Sequence, residues 1–349
     1  MTPSLPFVSI IIPVHNAAAC LGKLLDGLER LDYPPDRFEV LFVDGGSSDD
    51  TRALAAARGW TVVDNPRRTV SPARNIGFAR ARGTLVAFTD ADCVPRPDWL
   101  RRAAAYFAQA SPDVAGGAPG DDLILDDGSR VERRRIACAG GPNLTPPDEG
   151  PFGRAVGFVF AQPLFAAGSV HARNLTYSRL ARSIPGCNAV YRREALEQVM
   201  PVDESLLTCD DTALNYALIA RGWRLVYAPD VVVWHYRRPT PRGLMRQMFR
   251  YAAGRVQFGR RGRGNINAAH HLVGLALPLA ALGWLGCGLA AGAAGWAGWP
   301  LALAAFHFGV GLWAGLATRD WPAALRVPLV LLAIWTGWSA GYLRERLGP

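Results

Sequence analysis

No two of the six cysteines (Cys20, Cys93, Cys138, Cys187, Cys209 and Cys287) of this 349-residue chain stand at Cys-x-x-Cys spacing. The spacing fits neither a zinc motif nor a disulfide scaffold, and reduced cytosolic thiols are the expectation. Asp and Glu are missing from residues 236–265, where nine Arg stand. Those nine equal the whole formal net charge of +9, so the remainder of the chain balances to zero. A basic excess confined to one belt, directly before an apolar quarter, points to a membrane surface and away from nucleic acid. The N-terminus lacks the basic segment of a signal peptide. Its apolar run, 7–14, is short and ends in Pro13-Val14-His15-Asn16, so it reads as a strand. The bulk of the chain is therefore expected in the cytoplasm, and the sequons at Asn143 and Asn174 carry no weight. Gly is missing from that first turn as well, which argues against the Gly-rich phosphate loop of a nucleotidyltransferase.

What is present first is an alternation. Residues 7–12, 38–43, 60–63 and 84–89 read as strands apolar on both faces. Between them Leu21, Leu24, Leu25, Leu28 and Leu31 recur at helical spacing, and 49–58 and 72–82 read as helices. Such a rhythm predicts a parallel sheet covered by helices, with ligands at the carboxyl ends of its strands. His15-Asn16, Asp44 and Asp90-Ala91-Asp92 sit at those ends. Two carboxylates one residue apart, where a buried strand breaks into a loop, can share one divalent ion, and hard oxygen donors suit Mg2+ or Mn2+. Asp98, just before Trp99-Leu100, is expected to cap the next helix, leaving Asp90 and Asp92 for other work. Residues 116–151 are rich in Gly, Pro and Asp and read as an irregular insertion, while 152–183 give no clear pattern. A strand over 186–191, a helix from Arg193, a helix over 211–220 and strands over 224–227 and 231–234 follow.

Six segments fall in a familiar order. Pro13-Val14-His15-Asn16, Val43-Asp44-Gly45-Gly46-Ser47-Ser48-Asp49-Asp50-Thr51 and Ser71-Pro72-Ala73-Arg74-Asn75-Ile76-Gly77 come first; Asp90-Ala91-Asp92, Cys209-Asp210-Asp211 and Gln247-Met248-Phe249-Arg250-Tyr251 follow. Together, over roughly residues 7–260, they resemble the motifs of inverting family 2 glycosyltransferases with the GT-A fold. Membrane-anchored members acting in exopolysaccharide or glycolipid assembly are the most similar. The resemblance implies a UDP- or GDP-sugar donor contacted by Pro13, His15, Asn16, Asp44, Arg74, Asp90, Asp92, Gln247, Arg250 and Tyr251. It implies a divalent metal on Asp92, with Asp90 acting through the metal, water or ribose. His235 is open to two roles, third metal ligand or diphosphate contact, beside an ordinary structural one. Arg74 and Arg250 are candidates for diphosphate or an anionic lipid, with a solvated helix face as the alternative for Arg74. A carboxylate opposite the leaving group must take the acceptor's proton; Asp211 is the first choice and Asp210 its rival. Three positions depart from the family pattern: Gly45 stands for an Asp, Asp210 for a Glu and Tyr251 for a Trp. His171, His270, His271 and His307 lack partners at ligand spacing and read as structural.

The last quarter differs in character. Over 240–258, Leu244, Met245, Met248, Phe249, Tyr251, Ala252 and Val256 share one side of a helical wheel, while Arg242, Arg246 and Arg250 stack along another. This predicts a helix in the membrane interface, with a helix packed on the core as the alternative. Apolar segments follow over roughly 270–294, 299–317 and 323–343, each about long enough to span a bilayer. Gly288/Gly292, Gly311/Gly315 and Gly337/Gly341 give each a Gly-x-x-x-Gly pair suited to close helix packing. The basic belt places the preceding domain on the cytoplasmic side.

The expected architecture is an α/β GT-A domain, a Rossmann-like nucleotide-diphospho-sugar transferase, over 1–238. A basic amphipathic juxtamembrane segment over 239–265 and about three transmembrane helices over 266–349 complete it. The expected function is metal-dependent, inverting transfer of a sugar to a lipid-linked or saccharide acceptor at the inner or plasma membrane. A processive polysaccharide synthase and a non-catalytic nucleotide-binding membrane scaffold are the alternatives.

Overall fold

The computed structural model describes residues 5–108, 122–162, 175–206, 208–261, 266 and 268–348. His171, Asn174, Arg263 and parts of the spans 116–151 and 152–183 lie outside these. The chain divides into two compact units, one of residues 1–144, 174–205 and 210–235, the other of 145–173, 206–209 and 236–349.

In the first unit, among the described residues, the main sheet has eight strands in the order 179–181, 224–227, 136–140, 188–192, 85–89, 8–14, 38–44 and 61–64. The strands Val8–Val14, Phe38–Asp44, Thr61–Asp64 and Leu85–Thr89 are mutually parallel, as the early alternation predicts. Ile10, Ile11 and Ile12 are fully buried because helices cover both faces, and each such side chain contributes about 1.5–3 kcal/mol. Beyond Leu85–Thr89 the sheet turns mixed, since Asn188–Arg192 runs antiparallel to both of its neighbours.

The supposed insertion contains a central strand, Ile136–Gly140, buried along its whole length. Its small residues hid it: a Cβ on Gly140 would run into the Asn188 backbone, so this strand is narrow by necessity. A second, three-stranded sheet sets Val233–His235 between Cys93–Pro95 and Asn143–Leu144, with His235 directly opposite Cys93. Asn188 locks the two sheets together. It accepts from Trp99 Nε1 at 2.8 Å and donates to the carbonyls of Pro142 at 3.1 Å and Val231 at 2.8 Å. Asp98 precedes the helix Trp99–Ala105 but does not cap it; its carboxylate turns instead to Arg96 at 2.5 Å and Arg102 at 3.0 Å.

The second unit is helical. Pro151–Ala161, Pro241–Arg260, Ala268–Gly274, Ala276–Thr318, Trp321–Ala324 and Val327–Leu347 are its helices among the described residues. Thr240 caps Pro241–Arg260 by accepting from Gly243 N at 3.1 Å, with Pro at the first position. Leu244, Met248, Ala252 and Val256 of this helix are buried within the unit rather than offered to lipid. Gly337 and Gly341 explain why: their missing side chains let the helix Val327–Leu347 touch the backbone at Met245 and Phe249. Its exposed side carries Arg242, Arg246, Arg250 and Tyr251.

The run Ala276–Thr318 is broken at Gly292, whose φ of 56° leaves the helical region. Trp284 Nε1 donates to the Trp296 carbonyl at 3.0 Å and Trp299 Nε1 to that of Ala280 at 2.8 Å. In a straight helix residues 280 and 299 would stand about 28 Å apart, so the run doubles back as a hairpin. Gly292 is thus the point of reversal, not a packing contact of a continuous helix. Among the described residues, two helical elements, Ala276–Thr318 and Trp321–Leu347, are long and apolar enough to cross a membrane by length and composition.

Candidate active site

At the end of Phe38–Asp44, the Asp44 side chain is fully buried. It accepts from Gly46 N at 3.2 Å, Ser47 N at 3.1 Å, Ser47 Oγ at 2.5 Å and Arg52 Nη1 at 2.9 Å. Burial pushes its carboxyl up, but the hydrogen bonds of Ser47 and Arg52 outweigh this and hold it below the usual carboxylate range. Asn16, at φ 48°, laces this loop to the first one: it accepts from Ser48 N at 2.8 Å and its own N–H donates to Ser47 Oγ at 2.9 Å. His15 and Asn16 are exposed and Pro13 half-buried. The Gly at position 45 has a local reason. A Cβ there would come within 3.2 Å of the Arg68 backbone, which occupies the space an Asp side chain would need.

A second group of carboxylates surrounds Arg74, which is only 4 % exposed. Its guanidinium is hydrogen-bonded to Asp210, stands 3.9 Å from Asp90 Oδ1 and lies 5.3 Å over the Phe88 ring. Its burial departs from the solvated helix face: it is a buried cation held between two carboxylates. Gly186 makes the room, because a Cβ there would strike the guanidinium. Burial raises the Asp210 carboxyl, Arg74 pulls it back, and neighbouring Asp211 pushes it up again. Asp211, at the start of the helix Asp210–Ala220, is half-buried and accepts from Gly186 N at 3.1 Å and Thr212 N at 2.6 Å.

Asp90 and Asp92 stand beyond the end of Leu85–Thr89. Desolvation pushes the Asp90 carboxyl up to about 7, with Cys187 and Asp92 adding to the shift and Arg74 and His235 opposing it. Asp92 Oδ1 lies 3.5 Å from His235 Nε2, which the small sheet brings in from far along the chain. The donors gathered here, two carboxylates and an imidazole, fit a divalent ion such as Mg2+ or Mn2+. Two cysteines lie close to His235, Cys93 and Cys187; sequence spacing gives them no ligand role, because only the fold, with Cys93 paired to His235 in the small sheet, brings residues 93, 187 and 235 together. Gln247, Arg250 and Tyr251 belong to the second unit. There Gln247 Nε2 donates to the Tyr251 hydroxyl at 3.1 Å, and the Arg250 carbonyl accepts from Thr208 Oγ1 at 3.1 Å.

A mixed sheet of this order, with a buried Asp ending its second strand and Asp-x-Asp following its fourth, is the GT-A fold of nucleotide-sugar transferases. The comparisons with known proteins narrow the class. The family model for glycosyl transferase family 2 matches residues 9–200, and the chain belongs to that family. Among curated relatives, glycosyltransferase AglE of Haloferax volcanii is 29 % identical over 263 residues, covering 74 % of this chain and 75 % of the relative. Succinoglycan biosynthesis protein ExoA of Rhizobium meliloti is 28 % identical over 348 residues, covering 97 % and 94 %. The solved mannosyltransferase PcManGT of Pyrobaculum calidifontis, in complex with GDP-Man and Mn2+, superposes with a TM-score of 0.58 at 22 % identity, covering 95 % of this chain and 88 % of that one. The protein is therefore a family 2 glycosyltransferase that uses nucleotide-sugar donors.

Proposed function

We propose that the protein transfers one sugar, with inversion, from a UDP- or GDP-sugar to a lipid-linked saccharide at the cytoplasmic face of the inner or plasma membrane. The observation that carries this reading is the pairing of two carboxylate centres through Arg74: Asp90 with Asp92 and His235 on one side, Asp210 with Asp211 on the other. Asp90, Asp92 and His235 would hold Mg2+ or Mn2+, which when bound supplies positive charge for the departing diphosphate. In this reading Asp44, in its network with Ser47 and Arg52, shapes the loop that would receive the base or ribose and would accept from it, with His15 and Asn16 at the same loop. Arg74 fixes Asp210 and keeps the two carboxylate groups apart. That leaves Asp211, less buried and not paired to the guanidinium, to take the proton of the attacking hydroxyl. A single displacement of this kind inverts the anomeric centre.

The second unit supports the membrane part of this reading. The most apolar stretch of Ala276–Thr318 is only 6 % buried, and surfaces of this kind need lipid around them. The exposed Arg242, Arg246 and Arg250 supply the basic side that anionic headgroups attract. A relative named for succinoglycan biosynthesis supports a saccharide-building role, and the chain matches it along nearly its whole length. The neighbour solved with GDP-Man and Mn2+ supports the choice of donor class and ion.

The test is a donor screen. Full-length protein in detergent or nanodiscs is given UDP- and GDP-sugars with Mn2+, and again with chelator. The reading expects hydrolysis or transfer with at least one donor, lost with chelator and lost in Asp92→Ala. Full activity of Asp92→Ala under chelation would overturn the metal assignment, and a product of retained anomeric configuration would overturn the mechanism.

A further inference from the structure

Cys93, Cys187 and His235 are all buried, and their ligand atoms lie within 4.8 Å of one another. Three independent features converge on them. His235 and Cys93 are cross-strand partners in the small sheet, so both side chains project to one face. Cys187 is held where it is by the main sheet, its carbonyl accepting from Thr89 Oγ1 at 3.0 Å. Asn143, on the third strand of the small sheet, donates from Nδ2 to Cys187 Sγ at 3.1 Å. A hydrogen bond of that kind stabilises a thiolate ligand from outside its coordination shell. Asp92 completes the group, with Oδ1 3.5 Å from His235 Nε2 and 3.8 Å from Cys93 Sγ.

The dimensions match a particular ion. Tetrahedral zinc, with Zn–S of about 2.3 Å and Zn–N of about 2.0 Å, has ligand-to-ligand edges of roughly 3.3–3.8 Å. The two distances to Asp92 already fall in that range. The thiol and imidazole edges, at most 4.8 Å, need to close by about 1 Å. Thiolate and imidazole donors select borderline and soft ions over Mg2+ and Mn2+.

We propose that Cys93, Cys187 and His235, with Asp92 as fourth donor, form a Zn2+ site. Because Asp92 and His235 are also the donors assigned to Mg2+ or Mn2+, zinc binding draws them away from the diphosphate position and shuts off transfer. On binding, the two thiols lose their protons to solvent and no redox change occurs. The site itself stands on geometry alone; its inhibitory effect rests on the metal-dependent reading above.

The test uses full-length protein in detergent under a phosphine reductant, freed of metal and then titrated with Co2+ and Zn2+. The wild type is expected to show a thiolate-to-cobalt charge-transfer band that Zn2+ abolishes. Cys187→Ala and Cys93→Ala should lose the band and at least about ten-fold in Zn2+ affinity, whereas Cys20→Ala, at an unrelated thiol, keeps both. If Cys93→Ala does not fold, Cys187→Ala decides. Absence of the band in the wild type, or an unchanged band in Cys187→Ala, overturns the site whatever reaction the protein performs. With excess Mn2+ present, added Zn2+ should inhibit wild type and Cys20→Ala but spare Cys187→Ala. Zinc that binds without lowering transfer overturns the inhibitory role, and failure of every donor overturns the transferase reading while leaving the cobalt band to be judged alone.

Discussion

Arg74 illustrates how strongly one buried charge depends on its partner. With its guanidinium on Asp210 and close to Asp90, its removal leaves a buried carboxylate without compensation. Arg74→Met is expected to cost about 3–5 kcal/mol in unfolding free energy, and the double variant Arg74→Met with Asp210→Asn distinctly less. Equal losses in the two, measured by denaturant titration, would show that the ion pair is not what holds this region. Asp44 gives a pH signature. Ser47 and Arg52 hold its folded-state carboxyl below the usual carboxylate range, so the stability it adds is complete above that range and disappears as pH falls through the lower folded value. Asp44→Asn should therefore cost about 1.5–3 kcal/mol at pH 7. The gap should close progressively below about pH 4, the usual carboxylate range; a gap independent of pH would count against the charged network.

At the scale of elements, the glycines of the C-terminal region are the sharpest markers. A Cβ at Gly337 or Gly341 meets the backbone of Pro241–Arg260, whereas one at Gly286 meets nothing within 4 Å. Gly341→Ala should lower stability in detergent by about 1–3 kcal/mol through overpacking, while Gly286→Ala should be neutral or slightly stabilising. Equal thermal shifts in the two variants would contradict the packing. The same region shows what was and was not legible in the sequence. The Gly-x-x-x-Gly spacing of Gly337/Gly341 predicted close helix packing and the structure uses it so. Gly288/Gly292 has the same spacing, yet Gly292 reverses the chain, because only backbone conformation separates the two uses. Val8–Val14 and Leu85–Thr89 announced themselves by β-branched and aromatic runs. Ile136–Gly140 did not, because Ala, Cys and Gly carry no strand signal and are chosen to fit beneath Asn188.

At the scale of the molecule, the carboxylates were readable because each ends an element whose period the sequence displays: Asp44, Asp90 and Asp92 after strands, Asp210 and Asp211 at a helix start. Their grouping around Arg74, and the approach of Cys93, Cys187 and His235, required the fold, since no local pattern relates residues so far apart in the chain. The exposed Arg row predicts a dependence on membrane charge. Arg242→Gln with Arg246→Gln should reduce the stimulation of lipid-acceptor transfer by anionic lipid in nanodiscs while leaving donor hydrolysis unchanged. Identical lipid titrations for variant and wild type would remove the membrane role of that row.

In the proposed reaction Asp211 takes the acceptor's proton while Asp90, Asp92 and His235 serve the donor end. The turnover of Asp211→Asn, measured with the donor the protein accepts, tests this most directly. The side chain keeps its size but loses its basicity, so kcat should fall about 10²–10⁴-fold while donor KM changes little. Near-native turnover in Asp211→Asn, with Asp210→Asn inactive, would move the role to Asp210 and contradict the assignment.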